Sequence, residues 1–310
     1  MKKIHWLRAL TLALLAALAL GGAALAEADA EASLYEENEY NFVEGSIDVS
    51  NGIPADAEGV LANIRDAGVL RVATEPYFPP QEFIDPDLEG QDSFVGADME
   101  LARAIAQRMG VELVIVPMEF TKVLSAVAEG ECDLAISALA YTPGRASMVQ
   151  LSKGYYFSED NAGSSLVIRS ADADAIKGVE DLAGRDIVAQ SGSLQEAMMA
   201  KYLPNYHEFR RLPSMQAVYN AVSDGSADAA MADVESAAAY IANNPDCGLM
   251  LLPDTHYTLE EAYAGDRVAG RKGELQLMYF VNGVIDELEQ DQQYQAWYDQ
   301  YEARAAELGM

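Results

Sequence analysis

Residues 99–116, Met-Glu-Leu-Ala-Arg-Ala-Ile-Ala-Gln-Arg-Met-Gly-Val-Glu-Leu-Val-Ile-Val, join a helical pattern to a strand pattern through one glycine. Met99, Leu101, Ala102, Ile105 and Met109 fall largely at helical spacing, Gly110 ends the helix, and 111–116 is apolar and β-branched. Upstream, 70–74 (LRVAT) reads as a strand. Downstream come a helix over 123–128 closed by Gly130, a strand over 133–137 (DLAIS), and Thr142-Pro143 opening another helix. Short apolar strands alternating with helices predict parallel α/β layers. A second set follows, with strands at 165–169, 186–190, 229–233 and 250–252 and helices at 195–202, 215–222 and 234–243. A long amphipathic helix is predicted over 274–304. Two such layers imply two lobes, and the crevice at the carboxyl ends of the strands is the default ligand site.

The 310 residues carry 50 Asp+Glu against 20 Lys+Arg, a formal charge of −30. That excess excludes nucleic acid as a partner and opposes docking on anionic lipid, because both are polyanions. Half of the residues are hydrophobic, ample for packed cores. Two cysteines, Cys132 and Cys247, are too few for a disulfide scaffold or a cysteine zinc site, and three histidines do not suggest a metal centre. No cofactor, resident metal or catalytic residue is expected.

Residues 1–26 read as a cleaved secretory signal: Lys2, Lys3 and Arg8, an apolar run over 9–20, Gly21-Gly22, then Ala24-Leu25-Ala26. Their removal takes the formal charge from −30 to −33. The apolar run is short for crossing about 30 Å of hydrocarbon, and no lipid-attachment cysteine follows it. A periplasmic or secreted protein is expected. Residues 27–58 hold ten acidic and no basic residues, and predict a disordered, solvated leader in which Leu34, Tyr35, Tyr40 and Phe42 are candidates for local docking.

Four positions suggest binding chemistry, and each also has an ordinary structural reading. Arg145 falls in the first turn of the helix opened by Thr142-Pro143, where a cation opposes the helix dipole and an anionic ligand would offset the cost; otherwise it is a solvated arginine. Ser191-Gly192-Ser193-Leu194-Gln195-Glu196 links a strand directly to a helix and forms either an anion cradle or a plain capping box. It lacks the P-loop lysine pattern. Asp233 ends a strand, either as a helix cap or as an acceptor for an ammonium group. Phe78, beside Pro79 and Pro80, is either a stacking surface or a buried plug.

The order of these elements is more specific than any one of them. Gly68-Val-Leu-Arg-Val-Ala-Thr74 with Pro76, Phe78 and Pro80, then Val95-Gly96-Ala97-Asp98 with Leu101-Ala102, resemble the opening of polar amino-acid-binding proteins of ABC importers, solute-binding family 3. Pro117-Met118-Glu119-Phe120, Gly130 with Asp133-Leu134-Ala135-Ile136, Thr142-Pro143-x-Arg145, Ser191-Gly192-Ser193 and Ala227-Asp228-Ala229 through Asp233 continue the resemblance. It implies an α/β, two-lobed type II periplasmic-binding-protein fold with two hinge strands, near 155–159 and 260–263. Lobe I would comprise 59–156 and 263–310, and lobe II 157–262. Its implied partners are an amino-acid ligand and the membrane permease of an ABC importer, with the binding protein a monomer.

By the same resemblance Arg145 holds the ligand α-carboxylate, helped by N–H groups near Ala138, Ala140 and Leu194 and by Ser193. Asp233 takes the α-ammonium. Phe78 and Phe120 sandwich the side chain, whose far end meets Glu75 and Gln190. Ala140 replaces a common hydroxyl residue, and Gln81 replaces an aromatic, making the wall more polar. Residues 254–271 match the pattern poorly. Glu75 favours a polar or basic ligand over an acidic one. Two other functions use this fold: extracellular dehydratases of prephenate-like acids, and ligand-sensing domains. Free thiols are expected at Cys132 and Cys247, because a bond between them would tie the lobes together.

Overall fold

The computed structural model describes residues 42–158, 163–203, 205–258 and 264–310. The predicted signal segment, residues 27–41 of the predicted leader, Glu159 and the hinge predicted at 260–263 lie outside them. Two five-stranded sheets organise the rest. The first is built from β1 (Val69–Thr74), β5 (Glu112–Pro117), β6 (Leu134–Ala135), β7 (Val149–Tyr156) and β13 (Asp266–Arg271), in the order β5-β1-β6-β13-β7. The second is built from β8 (Ser164–Arg169), β9 (Asp186–Gln190), β10 (Glu208–Leu212), β11 (Ala229–Asp233) and β12 (Leu249–Leu251), in the order β10-β9-β11-β8-β12. A small antiparallel sheet of β2 (Tyr77–Phe78), β3 (Glu82–Ile84) and β4 (Phe94–Val95) lies within the first lobe's sequence. The chain leaves the first sheet after β7 and re-enters it at β13.

The sheets are mixed, which corrects the expectation of parallel layers. β1 runs parallel to β5 and β6, and β9 to β10 and β11, but β13 and β8 run antiparallel to both of their neighbours. The antiparallel strands are those next to the crossings between lobes. They are not reached through a strand–helix–strand unit inside one lobe, so nothing obliges them to be parallel.

Alternation along the strands explains why both faces of each sheet are covered. Val72, Leu134 and Val268 enter one core with Leu61, Leu101, Ile105 and Phe280, while Ala73, Ala135 and Ala269 enter another with Val123 and Val127. In the second lobe Ile187 and Met231 face one side, Val188 and Ala230 the other. Cys132 and Cys247 are free thiols in different lobes. Among the described residues no helix is long and apolar enough to cross a membrane.

Two expectations about the chain's ends need correction. The single helix predicted over 274–304 is two, Leu275–Gln290 and Gln293–Leu308, separated where Gln292 adopts φ 51°. The run Glu289-Gln290-Asp291-Gln292-Gln293 has no apolar face to keep one straight helix on the core. The break lets Tyr294 and Tyr298 meet Tyr155 and Tyr156. Residues 42–58 were expected to be solvated, yet they pack on the first lobe. Val43 N–H donates to the Leu151 carbonyl at 2.8 Å, Asn282 Nδ2 donates to the Val43 and Gly45 carbonyls, and Val43, Val49 and Ala57 are buried. Its apolar residues, sparse in sequence, are spaced to meet one helix, and backbone hydrogen bonds do the rest.

Gly96 positions the site from a distance. It precedes the helix Ala97–Met109 at φ 123°, and a Cβ there would lie 2.1 Å from the Gln81 carbonyl oxygen. That close approach allows Asp98 N–H to donate to the Gln81 carbonyl at 2.9 Å. Gly96→Ala therefore combines a clash with a disfavoured φ, and should lower stability by about 3 kcal/mol in urea denaturation. Wild-type stability in that variant would contradict this account.

Candidate functional site

The carboxyl ends of β1, β9 and β11 converge on a cleft between the lobes, of about 130 Å³. The ten residues singled out from the sequence all line it: Glu75, Phe78, Phe120, Ala138, Ala140, Arg145, Gln190, Ser193, Leu194 and Asp233. Glu75, Gln190 and Asp233 lie at the carboxyl ends of β1, β9 and β11, while Phe120, Arg145 and Leu194 come from the starts of helices.

Arg145 is the cation of the cleft. Its helix, Pro143–Met148, begins with Thr142 Oγ1 accepting from Arg145 N–H at 3.1 Å. The solvated reading of this arginine is overturned, since only 7% of it is exposed. One guanidinium nitrogen donates to the Ala140 carbonyl at 2.7 Å and the other to the Gly192 carbonyl of the second lobe at 3.3 Å. The guanidinium lies 5.5 Å from the centre of the Phe120 ring. Burial lowers its pKa to about 10, and the charge of Asp266 opposes the shift.

Ser193 caps the helix Leu194–Tyr202, its Oγ accepting from Glu196 N–H at 3.0 Å, and Glu196 reaches back to Gly192 N–H at 2.7 Å. The capping reading therefore holds, and it aims the start of that helix at the cleft. Asp233 likewise serves as a cap, Oδ1 accepting from Ser236 N–H at 2.9 Å, while still lining the cleft. Burial raises its pKa.

Glu75, 3% exposed, accepts from Gln190 Nε2 at 3.2 Å, a second hydrogen bond between lobes. Burial pushes the Glu75 carboxyl up to about 7, with the Gln190 bond holding it back. Ser137 accepts from Glu75 N–H and donates to Glu82 at 2.9 Å. Glu82 is raised well above the usual carboxylate range by burial and then by Asp98. The Gln81 side-chain oxygen is buried without a hydrogen-bond partner among the described residues, so the polar wall read from the sequence is present.

Two backbone contacts differ from the reading by resemblance. Ala138 N–H, at φ 45°, donates to Asp98 at 2.8 Å, and Asp98 also accepts from Tyr155 and Tyr294 hydroxyls. Ala138 shapes the cleft floor with its N–H already used. Ala140 N–H donates to the Ala138 carbonyl at 3.1 Å.

Sequence reasoning missed Glu82, Glu235 and Asp266, which also line the cleft. Glu235 accepts from Tyr156 at 3.0 Å and Tyr298 at 3.3 Å, joining the second lobe to the first. Its position two residues after Asp233, in a helix's first turn, was a usable signal. Asp266 begins β13 inside the stretch that matched poorly, and no local pattern marked it. Burial and neighbouring carboxylates raise Asp266 well above the usual range. The lining thus holds five carboxylates, Glu75, Glu82, Asp233, Glu235 and Asp266, against Arg145. Desolvation raises the pKa values of Glu75, Glu82, Asp233 and Asp266, and a cationic occupant favours the ionised forms of these carboxyls. Neither His207 nor His256 lines it.

The sequence profile of the bacterial extracellular solute-binding proteins, family 3, matches residues 70–304. The arginine-binding extracellular protein ArtP of Bacillus subtilis is 28% identical over 202 residues, covering 64% of this chain and 74% of ArtP. A probable histidine-binding protein of Campylobacter jejuni is 30% identical over 178 residues, covering 57% of this chain and 64% of that one. Among solved structures, an amino acid ABC transporter substrate-binding protein from Streptococcus pneumoniae bound to L-arginine superposes with a TM-score of 0.70. That pair is 30% identical, over 79% of this chain and 98% of the other.

Proposed function

This chain belongs to the bacterial extracellular solute-binding proteins, family 3, and on that premise we propose that it captures a basic or polar amino acid outside the cytoplasm and hands it to an ABC importer. The observation that carries the reading is the cleft between lobes lined by five carboxylates and one arginine. A zwitterion with a cationic side chain needs an anchor for its carboxylate, acceptors for two positive ends, and a dry wall, since desolvated charges must be paired. Arg145 and the start of the helix at Leu194 face the carboxylate. Asp233 accepts from the α-ammonium, and Glu75 with Gln190 meets the distal group between Phe78 and Phe120. The arginine and histidine binding named for relatives supports this ligand class.

Because Arg145 belongs to the first lobe and Asp233 to the second, only closed lobes satisfy both ends of the ligand. That differential contact drives closure. The protein acts as a periplasmic or secreted monomer without transforming its ligand, and its partner is the importer's permease. Calorimetry against the twenty standard amino acids tests the reading. Arginine, lysine, histidine or a polar neutral residue should bind most tightly and be recovered unchanged. Glutamate or aspartate as the tightest ligand would overturn it.

The same site predicts proton release. A cationic side chain requires Glu75 ionised, whereas burial holds its pKa at about 7. Affinity should therefore be flat above pH 7 and fall below it, by about tenfold per pH unit for one proton. Arginine titrations at pH 8 and pH 6, in buffers of different ionisation enthalpy, measure this. Equal affinities would exclude the role of Glu75, and Glu75→Gln should flatten the profile.

A further inference from the structure

Phe42, in the segment 42–58 that packs on the first lobe, lies against Arg267, the residue after Asp266 of the cleft lining. The Phe42 ring lies 3.8 Å from the guanidinium carbon of Arg267, and the Tyr141 ring lies 6.0 Å from it. Arg267 is 3% exposed. Its two terminal nitrogens donate to the Ser152 carbonyl at 3.1 Å and the Ala264 carbonyl at 3.2 Å, and its backbone N–H donates to the Leu139 carbonyl at 3.0 Å. Ala264, Gly265 and Asp266, next to Arg267 in sequence, line the cleft. Asp266 also bridges to Ala140, whose carbonyl holds Arg145.

The anchorage of Phe42 is built in, not a chance contact. Besides the bonds from Val43 and Asn282, a Cβ on Gly283 would lie 2.2 Å from the Ile47 carbonyl oxygen, so the helix Leu275–Gln290 carries a glycine where the segment crosses it. Phe42 also forms a parallel bridge with Leu151 of β7. The segment thus spans from that helix to the strand pair β7–β13 that leads in and out of the second lobe.

We propose that Phe42 is a positioning residue for the ligand cleft: its ring holds the Arg267 guanidinium, which in turn holds the returning segment 264–266 against Ala140 and Arg145. The Arg267 Nε is buried with no hydrogen-bond partner among the described residues, and an aromatic ring on the guanidinium face excludes water from the bonds its two terminal nitrogens make. Removing the ring admits water to Arg267, weakens its grip on the Ala264 carbonyl, and loosens the wall that contains Asp266. The inference rests on the amino-acid-binding reading for its affinity readout but not for its structural one.

The test uses the full chain with L-arginine as probe. Phe42→Ala should weaken arginine affinity about tenfold, mainly through faster release, as expected for loss of a desolvated cation–π contact. Phe42→Tyr should retain wild-type affinity. Val49→Ala, which removes packing from the same segment away from Arg267, should lower thermal stability and leave affinity within about twofold. Hydrogen exchange gives a ligand-free readout: the Arg267 amide should exchange faster in Phe42→Ala and not in Val49→Ala. Unchanged release and exchange in Phe42→Ala would overturn the proposal. So would parallel losses in Phe42→Ala and Val49→Ala, which mark general destabilisation. A wild type that binds no amino acid refutes the functional reading, and exchange at Arg267 still decides this one.

Discussion

Arg145→Gln should leave the secondary structure intact and weaken amino-acid binding by about two to three orders of magnitude. The expected size follows from truncating one partner of a buried, hydrogen-bonded charge pair, which costs about 2–5 kcal/mol, at 1.4 kcal/mol per decade. Glutamine fits the short helix, whose Thr142 cap and Pro143 start do not depend on the side chain at 145. What disappears is the fork that donates to Ala140 in one lobe and Gly192 in the other, together with the positive charge among the cleft carboxylates. Arg145→Lys should recover only part of the loss, since an ammonium keeps the charge but not the planar pair of donors. Calorimetry at pH 8, above the shifted Glu75 carboxyl, isolates the effect from proton uptake. Affinity within threefold of wild type in Arg145→Gln would show that the ligand carboxylate is held elsewhere.

Asp233→Asn should reduce affinity by about a hundredfold with little change in stability. Asparagine caps helices about as well as aspartate, so the bond from Ser236 N–H survives the substitution. Alanine would confound the two roles by removing the cap. The charge is therefore separated from the fold, and what is lost is a charge-assisted bond to the α-ammonium inside a desolvated cleft. A ligand series sharpens the test. Wild type should prefer the amino acid strongly over its α-hydroxy analogue, and Asp233→Asn should narrow that preference. An unaltered preference would remove Asp233 from the ammonium site.

Much of the cleft was legible because its residues sit where local pattern and chemistry coincide. Glu75, just past β1, and Gln190, at the end of β9, came only from the resemblance, whereas Arg145 follows an N-cap and a first-turn proline and Ser193 and Asp233 open helices. Each is tied to an element boundary, and boundaries carry residue-type signals within a few positions. Asp266 had none. Its strand, with Arg267, Gly270 and Arg271 among six residues, lacks the apolar run of a central strand, although it lies between β6 and β7. β10 was missed for the same reason: it is a half-exposed edge strand, polar at Glu208, Arg210 and Arg211.

Periodicity and punctuation alone determined that strands and helices alternate twice along this chain, because each element needs a buried face and its residues repeat at the element's own period. Only the tertiary structure decided how the elements pair. β8 and β13 run against their neighbours, the terminal helix breaks at Gln292, and residues 42–58 lie on the first lobe. It also decided the charge balance of the cleft, since Glu82, Glu235 and Asp266 come from three distant parts of the chain. Desolvation depends on what surrounds a carboxylate in space, and that information is not carried by its neighbours in sequence.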